Sequence, residues 1–115
     1  MNLAGKSAVI TGGSRGLGRD IARLIHAAGG DVTVCAKSSE AASSDRSAER
    51  WYSRWSSFDL ADTAELNSFA DPLVESGKPI DILINNAGYG GTLSTLADTT
   101  EQELADHVAL NFVSP

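Results

Sequence analysis

Thr11-Gly12-Gly13-Ser14-Arg15-Gly16-Leu17-Gly18 is the stretch on which the fold turns. Before it, Ser7 to Thr11 (SAVIT) is a short apolar run rich in strand-forming residues. After it, Leu17, Ile21, Leu24, Ile25 and Ala28 recur at helical spacing until Gly29-Gly30 supplies a stop. The glycines therefore join the end of a buried strand to the start of a helix, whose free N–H groups favour an anion. Gly12 allows the tight turn, Gly16 lets backbone approach a phosphate, and Gly18 permits close helix packing. A tight turn without a ligand uses the same residues, so the position between strand and helix carries more than the glycines alone.

Further along, the pattern repeats. Asp31 to Cys35 (DVTVC) is a second β-branched strand, and the Ser/Ala/Glu-rich stretch from Ser38 to Arg50 shows only weak helical periodicity. Arg54 to Phe58 forms a third strand. Asp62 and Glu65 then have the spacing of a capping box before Leu66, Phe69, Ala70 and Leu73, in a helix that Pro72 is expected to kink or shorten. Ile80 to Asn85 (IDILIN) is a fourth strand, apolar enough to be covered on both faces. Thr100 and Glu103 make a second capping box, and Leu104, His107, Val108, Asn111 and Phe112 form one stripe of a last helix. Strands alternating with helices imply an α/β fold: a Rossmann-type, doubly wound parallel sheet, interrupted after the fourth strand and part of the following helix. One incomplete dinucleotide-binding domain spans residues 1–115.

Hydrophobic residues make up 42% and charged residues 21% of the chain, as in an ordinary globular fold. The net charge of −6, with no basic cluster, disfavours nucleic acid and anionic lipid as partners. Cys35 is the sole cysteine, and no apolar run reaches the length of a signal peptide or membrane span, so a cytoplasmic protein is expected. His26 and His107 lie in different elements with no second ligand pattern, so no metal site is expected. Trp51, Tyr52 and Trp55 cluster before the third strand and are accounted for by packing.

The glycine spacing G-x-x-x-G-x-G, Asp59-Leu60 after the third strand, Asn85-Asn86-Ala87-Gly88 after the fourth, and Asn111 in the next helix occur in one order. In that order they resemble the short-chain dehydrogenase/reductase family over the whole chain. The resemblance implies that Gly12, Ser14, Arg15, Gly16, Leu17 and Gly18 line the cofactor pyrophosphate. It implies that the Asp59 carboxylate contacts the adenine amino group, with the Leu60 backbone beside the ring. The Asn85 and Asn86 side chains would brace the middle of the sheet, and the Asn86-Ala87-Gly88 backbone would lie along the cofactor ribose. Asn111 matches the family's catalytic asparagine, which holds a water connected to the active-site lysine. Simpler roles stay open for each: a helix-start aspartate, a plain turn, and a hydrogen-bonded structural asparagine.

The cofactor expected is NADP(H). Folds selective for NAD usually place an acid about 20 residues past the glycine motif, where it binds the ribose 2′-hydroxyl. Here that region reads Cys35-Ala36-Lys37-Ser38, with no acid. Lys37 pairs with a 2′-phosphate in this reading, Arg15 reaches the same phosphate from the glycine loop, and both match basic positions of the family's NADP-preferring branch. An ordinary solvated lysine is the alternative for Lys37.

The family's catalytic serine and Tyr-x-x-x-Lys pair do not occur: Tyr52 is followed four positions later by Ser56, and Tyr89 by Leu93. The expectation is a cofactor-binding piece of a hydride-transferring reductase, inactive alone, whose fourth strand forms an open edge. Its complete parent would act on a small carbonyl or alcohol and could be a homo-oligomer. A non-enzymatic nucleotide-binding module and a ligand-free structural piece are the alternatives.

Overall fold

A computed structural model describes residues 1–37, 51–88, 98 and 100–109. Strand β1 (Ser7–Thr11) leads into helix α1 (Gly16–Ala27), followed by β2 (Asp31–Ala36), β3 (Arg54–Ser57), α2 (Thr63–Glu75), β4 (Ile82–Ile84) and α3 (Glu101–Val108). All strand pairs are parallel, in the order β3-β2-β1-β4. This is the expected Rossmann-type sheet, with β3 and β4 outermost among the described residues.

The core follows from pleat and register. Ala8 pairs with Val32 and Ile10 with Val34, so these four share one face of the two central strands. Ala22 and Ile25 of α1 pack on that face with Trp51, and Ile82 and Ile84 extend the cluster at its margin. Gly29, at φ 91°, ends α1: its N–H reaches the His26 carbonyl at 3.0 Å and the Gly30 N–H reaches that of Ile25 at 3.0 Å. At the same amino end of the strands Asp81 ties β4 to β1. Its carboxylate accepts from the Ser7 N–H at 2.9 Å and lies 3.5 Å from Lys6 Nζ. The Ser7 N–H, and after it the Lys6 charge, hold the Asp81 carboxyl below the usual range.

Several expectations are corrected. Strand β3 ends at Ser57, one residue before Phe58, and β4 covers only Ile82–Ile84. Burial of β4 on both faces does not occur: Ile82 and Ile84 join the core, while Leu83 between them points to the other face and is 58% exposed. Asp62 caps α2 through Ala64 and Glu65 N–H, but Glu65 reaches Asp59 N–H at 2.8 Å instead of closing a box on Asp62. The reason is a tight turn in which the Asp62 N–H already donates to the Asp59 carbonyl at 2.9 Å. Helix α2 runs through Pro72 to Glu75 without being cut short. The carbonyl that Pro72 leaves without its usual donor belongs to Ser68, an exposed residue of the helix.

The capping box of α3 forms as expected, with Glu103 N–H to Thr100 Oγ1 at 3.1 Å and Thr100 N–H to Glu103 Oε2 at 2.8 Å. Its apolar stripe is not buried among the described residues: Leu104 is 60% and Val108 45% exposed. Asn111, Phe112 and the Ser38 to Arg50 stretch lie outside the described residues.

Candidate cofactor site

The residues singled out from the sequence gather at one edge of the sheet, beyond the carboxyl ends of the strands. The glycine loop leaves β1, Lys37 follows β2, Asp59 and Leu60 follow β3, and Asn85 to Gly88 follow β4. Since β2 and β3 extend from one side of β1 and β4 lies on the other, strand order reverses between β1 and β4. That reversal opens the crevice where open α/β sheets bind ligands.

Two segments far apart in sequence are knotted there. Thr11 Oγ1 accepts from the N–H of Asn86 at 3.1 Å and of Ala87 at 3.0 Å, and donates to the Ile84 carbonyl at 3.4 Å. Asn86 Nδ2 donates to the Gly12 carbonyl at 3.1 Å, and the Gly12 N–H donates to the Cys35 carbonyl at 2.8 Å. A Cβ on Gly12, which has φ 68°, would lie 2.8 Å from Ala87 Cα, and one on Gly18 would lie 2.7 Å from the Gly12 carbonyl oxygen. The close-packing role read for Gly18 thus holds, with the Asn86 segment as its neighbour. Asn86 braces the glycine loop rather than the middle of the sheet, and Asn85 is exposed.

Gly16 is different: its φ of 60° favours glycine, yet a Cβ there would meet nothing within 4 Å. It faces open space at the start of α1. Arg15 occupies the N-cap position in extended conformation with no side-chain cap bond, and the first turn contains no acid. Asp62 and Thr100, by contrast, cap α2 and α3 with their own oxygens. The α1 terminus therefore presents uncompensated N–H groups and the positive end of the helix dipole to that space. Around it Ser14 is half-buried, Arg15 exposed and Leu17 exposed. Such a shape fits a dinucleotide pyrophosphate.

The sequence profile of the short chain dehydrogenase family matches residues 6–115. This chain belongs to that family. A relative from Pseudomonas aeruginosa, the rhamnolipids biosynthesis 3-oxoacyl-[acyl-carrier-protein] reductase, is 38% identical over 98 residues, covering 82% of this chain and 38% of the relative. A metagenomic short-chain oxidoreductase solved in complex with NADP superposes with a TM-score of 0.84 at 30% identity, over 98% of this chain and 52% of that one. The Pseudomonas aeruginosa RhlG/NADP active-site complex gives a TM-score of 0.81 at 33% identity, over 98% of this chain and 44% of that one. The chain thus spans about half the length of these solved relatives or less.

Beyond the ends of β2 and β3, side chains from the two neighbouring strands meet. Lys37 Nζ lies 3.6 Å from Asp59 Oδ2, and Asp59 Oδ1 accepts the Ala61 N–H at 3.0 Å. Leu60 is buried, Ala87 half-buried and Gly88 exposed. Cys35 is enclosed in β2, where burial pushes its thiol up to about 11, so it is no nucleophile for the site. Trp51, Tyr52 and Trp55 pack edge-on or tilted on one another with ring centroids 5.2 to 6.1 Å apart. Arg19 and Arg23 lie over the Trp51 ring, so packing does account for these aromatics. Asn111 lies outside the described residues. Among those described, no cluster of metal-ligating groups occurs and no helix is long and apolar enough to cross a membrane.

Sequence reading assigned no role to Thr11 or Gly13. A Cβ on Gly13 would lie 2.7 Å from Val34 Cγ1, which makes this glycine a packing requirement of β2. The available signal was a polar residue ending an apolar strand directly before glycines.

Proposed function

We propose that this edge holds NADP(H) for hydride transfer between NADPH and a small carbonyl or alcohol substrate, and that these 115 residues bind the cofactor without turning over alone. The observation that carries the reading is the open N-terminus of α1, uncapped and free of acid above the unfilled space at Gly16. The N–H groups there would hold the pyrophosphate, Asp59 and Leu60 the adenine, and the Asn86 to Gly88 backbone the ribose. Lys37 and Arg15 would pair with the 2′-phosphate, and NADP in two solved family members supports that choice. The nicotinamide, when bound, supplies or accepts the hydride. Asn111 would order a water for proton delivery, as the family resemblance implies.

Titration of NADPH and NADH by calorimetry or fluorescence, against Arg15→Ala and Lys37→Ala, tests the reading. A hydrogen bond to a charged group contributes about 1.5 to 3 kcal/mol, so each variant should lose about ten- to hundredfold in NADPH affinity and little for NADH. Equal affinities in the unmutated chain, or equal losses for both cofactors, would overturn it.

A further inference from the structure

We infer that Asp59 limits the discrimination between phosphorylated and unphosphorylated adenosine by holding the Lys37 ammonium in the ion pair described above. The inference rests on the reading of this edge as an NADP(H) site. No acid stands in sequence beside Lys37, but the parallel register brings one from the adjacent strand. Ala36 pairs with Ser57, and the Phe58 N–H donates to the Ala36 carbonyl at 3.1 Å, so Lys37 and Asp59 leave the sheet side by side.

The two partners differ in freedom. The Asp59 carboxylate is fixed by the Ala61 N–H, and its backbone is fixed by Glu65 on one side and the Asp62 N–H on the other. Lys37, with a side chain 82% exposed against 42% for Asp59, is the member able to move. A 2′-phosphate, carrying a charge of about −1.5 to −2, therefore takes Lys37 only by drawing it out of this pair. Exposed pairs contribute little, so the effect is a graded one and not a lock. An adenosine without the phosphate leaves the pair intact. The cost then falls on one ligand class alone and lowers the preference that Lys37 would otherwise confer.

Asp59→Asn keeps an oxygen for the Ala61 N–H while removing the charge. The probes are adenosine 2′,5′-bisphosphate and adenosine 5′-monophosphate, titrated by calorimetry at low and high salt. The affinity ratio in favour of the bisphosphate should rise about two- to fivefold in Asp59→Asn, with a smaller rise at high salt. Any lost adenine contact weakens both probes alike and cancels in the ratio. In a Lys37→Gln background, Asp59→Asn should leave the ratio unchanged. An unchanged or lowered ratio in the single variant overturns the inference, as does the same rise without Lys37, which would mean direct repulsion of the phosphate. If the unmutated chain binds both probes equally or neither, the NADP(H) reading fails and takes this inference with it. A clear preference in the unmutated chain with no change in Asp59→Asn sinks this inference alone.

Discussion

Thr11 shows how much a single hydroxyl can hold. Its Oγ1 joins the end of β1, the end of β4 and the turn that follows, accepting two N–H groups and donating to one carbonyl. Thr11→Val preserves shape while leaving the Ala87 N–H without that acceptor in a part-buried position and the Asn86 N–H with the Ile84 carbonyl alone. A buried donor left unsatisfied costs about 1 to 3 kcal/mol, so urea denaturation should show a loss of about 1 to 3 kcal/mol. A loss under about 0.5 kcal/mol, in the range of ordinary surface substitutions, would mean that water replaces the hydroxyl and that the knot is dispensable. Thr11, at the end of an apolar strand, was readable as a residue to explain, but its partners are more than seventy positions away.

At the scale of elements, the helices divide by how they begin. Those that start with Asp62 and Thr100 satisfy their own first turns, whereas α1 starts with Arg15 and does not. An acid at that position would supply the missing cap and complement the dipole, at the expense of any bound anion. Arg15→Asp is therefore expected to stabilise the chain by about 0.5 to 2 kcal/mol in thermal or urea unfolding. In the same variant, NADPH affinity should fall by at least tenfold, since repulsion is added to the lost guanidinium. A variant that is both more stable and undiminished in NADPH binding would place the anion site elsewhere. Helix starts were legible because a cap acts within a few residues. The partner of Glu65 was not, since the Asp59 to Asp62 turn had already taken the N–H that the box required.

For the whole molecule, large apolar side chains are exposed on all three helices and on β4, with Leu17 and Leu24 on α1 and Val74 on α2 among them. Leu83 on β4 and Leu104 and Val108 on α3 are open to solvent among the described residues, while the β1–β2 centre is closed. The 115-residue polypeptide contains no Tyr-x-x-x-Lys sequence. Steady-state assays of NADPH oxidation against a panel of carbonyl compounds should accordingly show no turnover. Turnover that survives purification and disappears in Asn111→Ala would reverse this expectation, because the chemistry would then reside within these residues.

Local order was set by the sequence itself: β1 from Ser7 to Thr11, the Gly29-Gly30 stop, the α3 cap and the placement of the glycine loop between strand and helix all obey rules that act over a few neighbours. The same motif series was enough to reach the family. Tertiary structure alone decided that β4 lies beside β1 and β3 beside β2, that Asn86 braces Gly12, and that Lys37 meets an acid from the next strand. Those facts depend on register between strands, and register is fixed only when the alternate residues of each strand are buried together. A residue's neighbour along the chain can be read directly, but its neighbour across the sheet exists only once the core has formed.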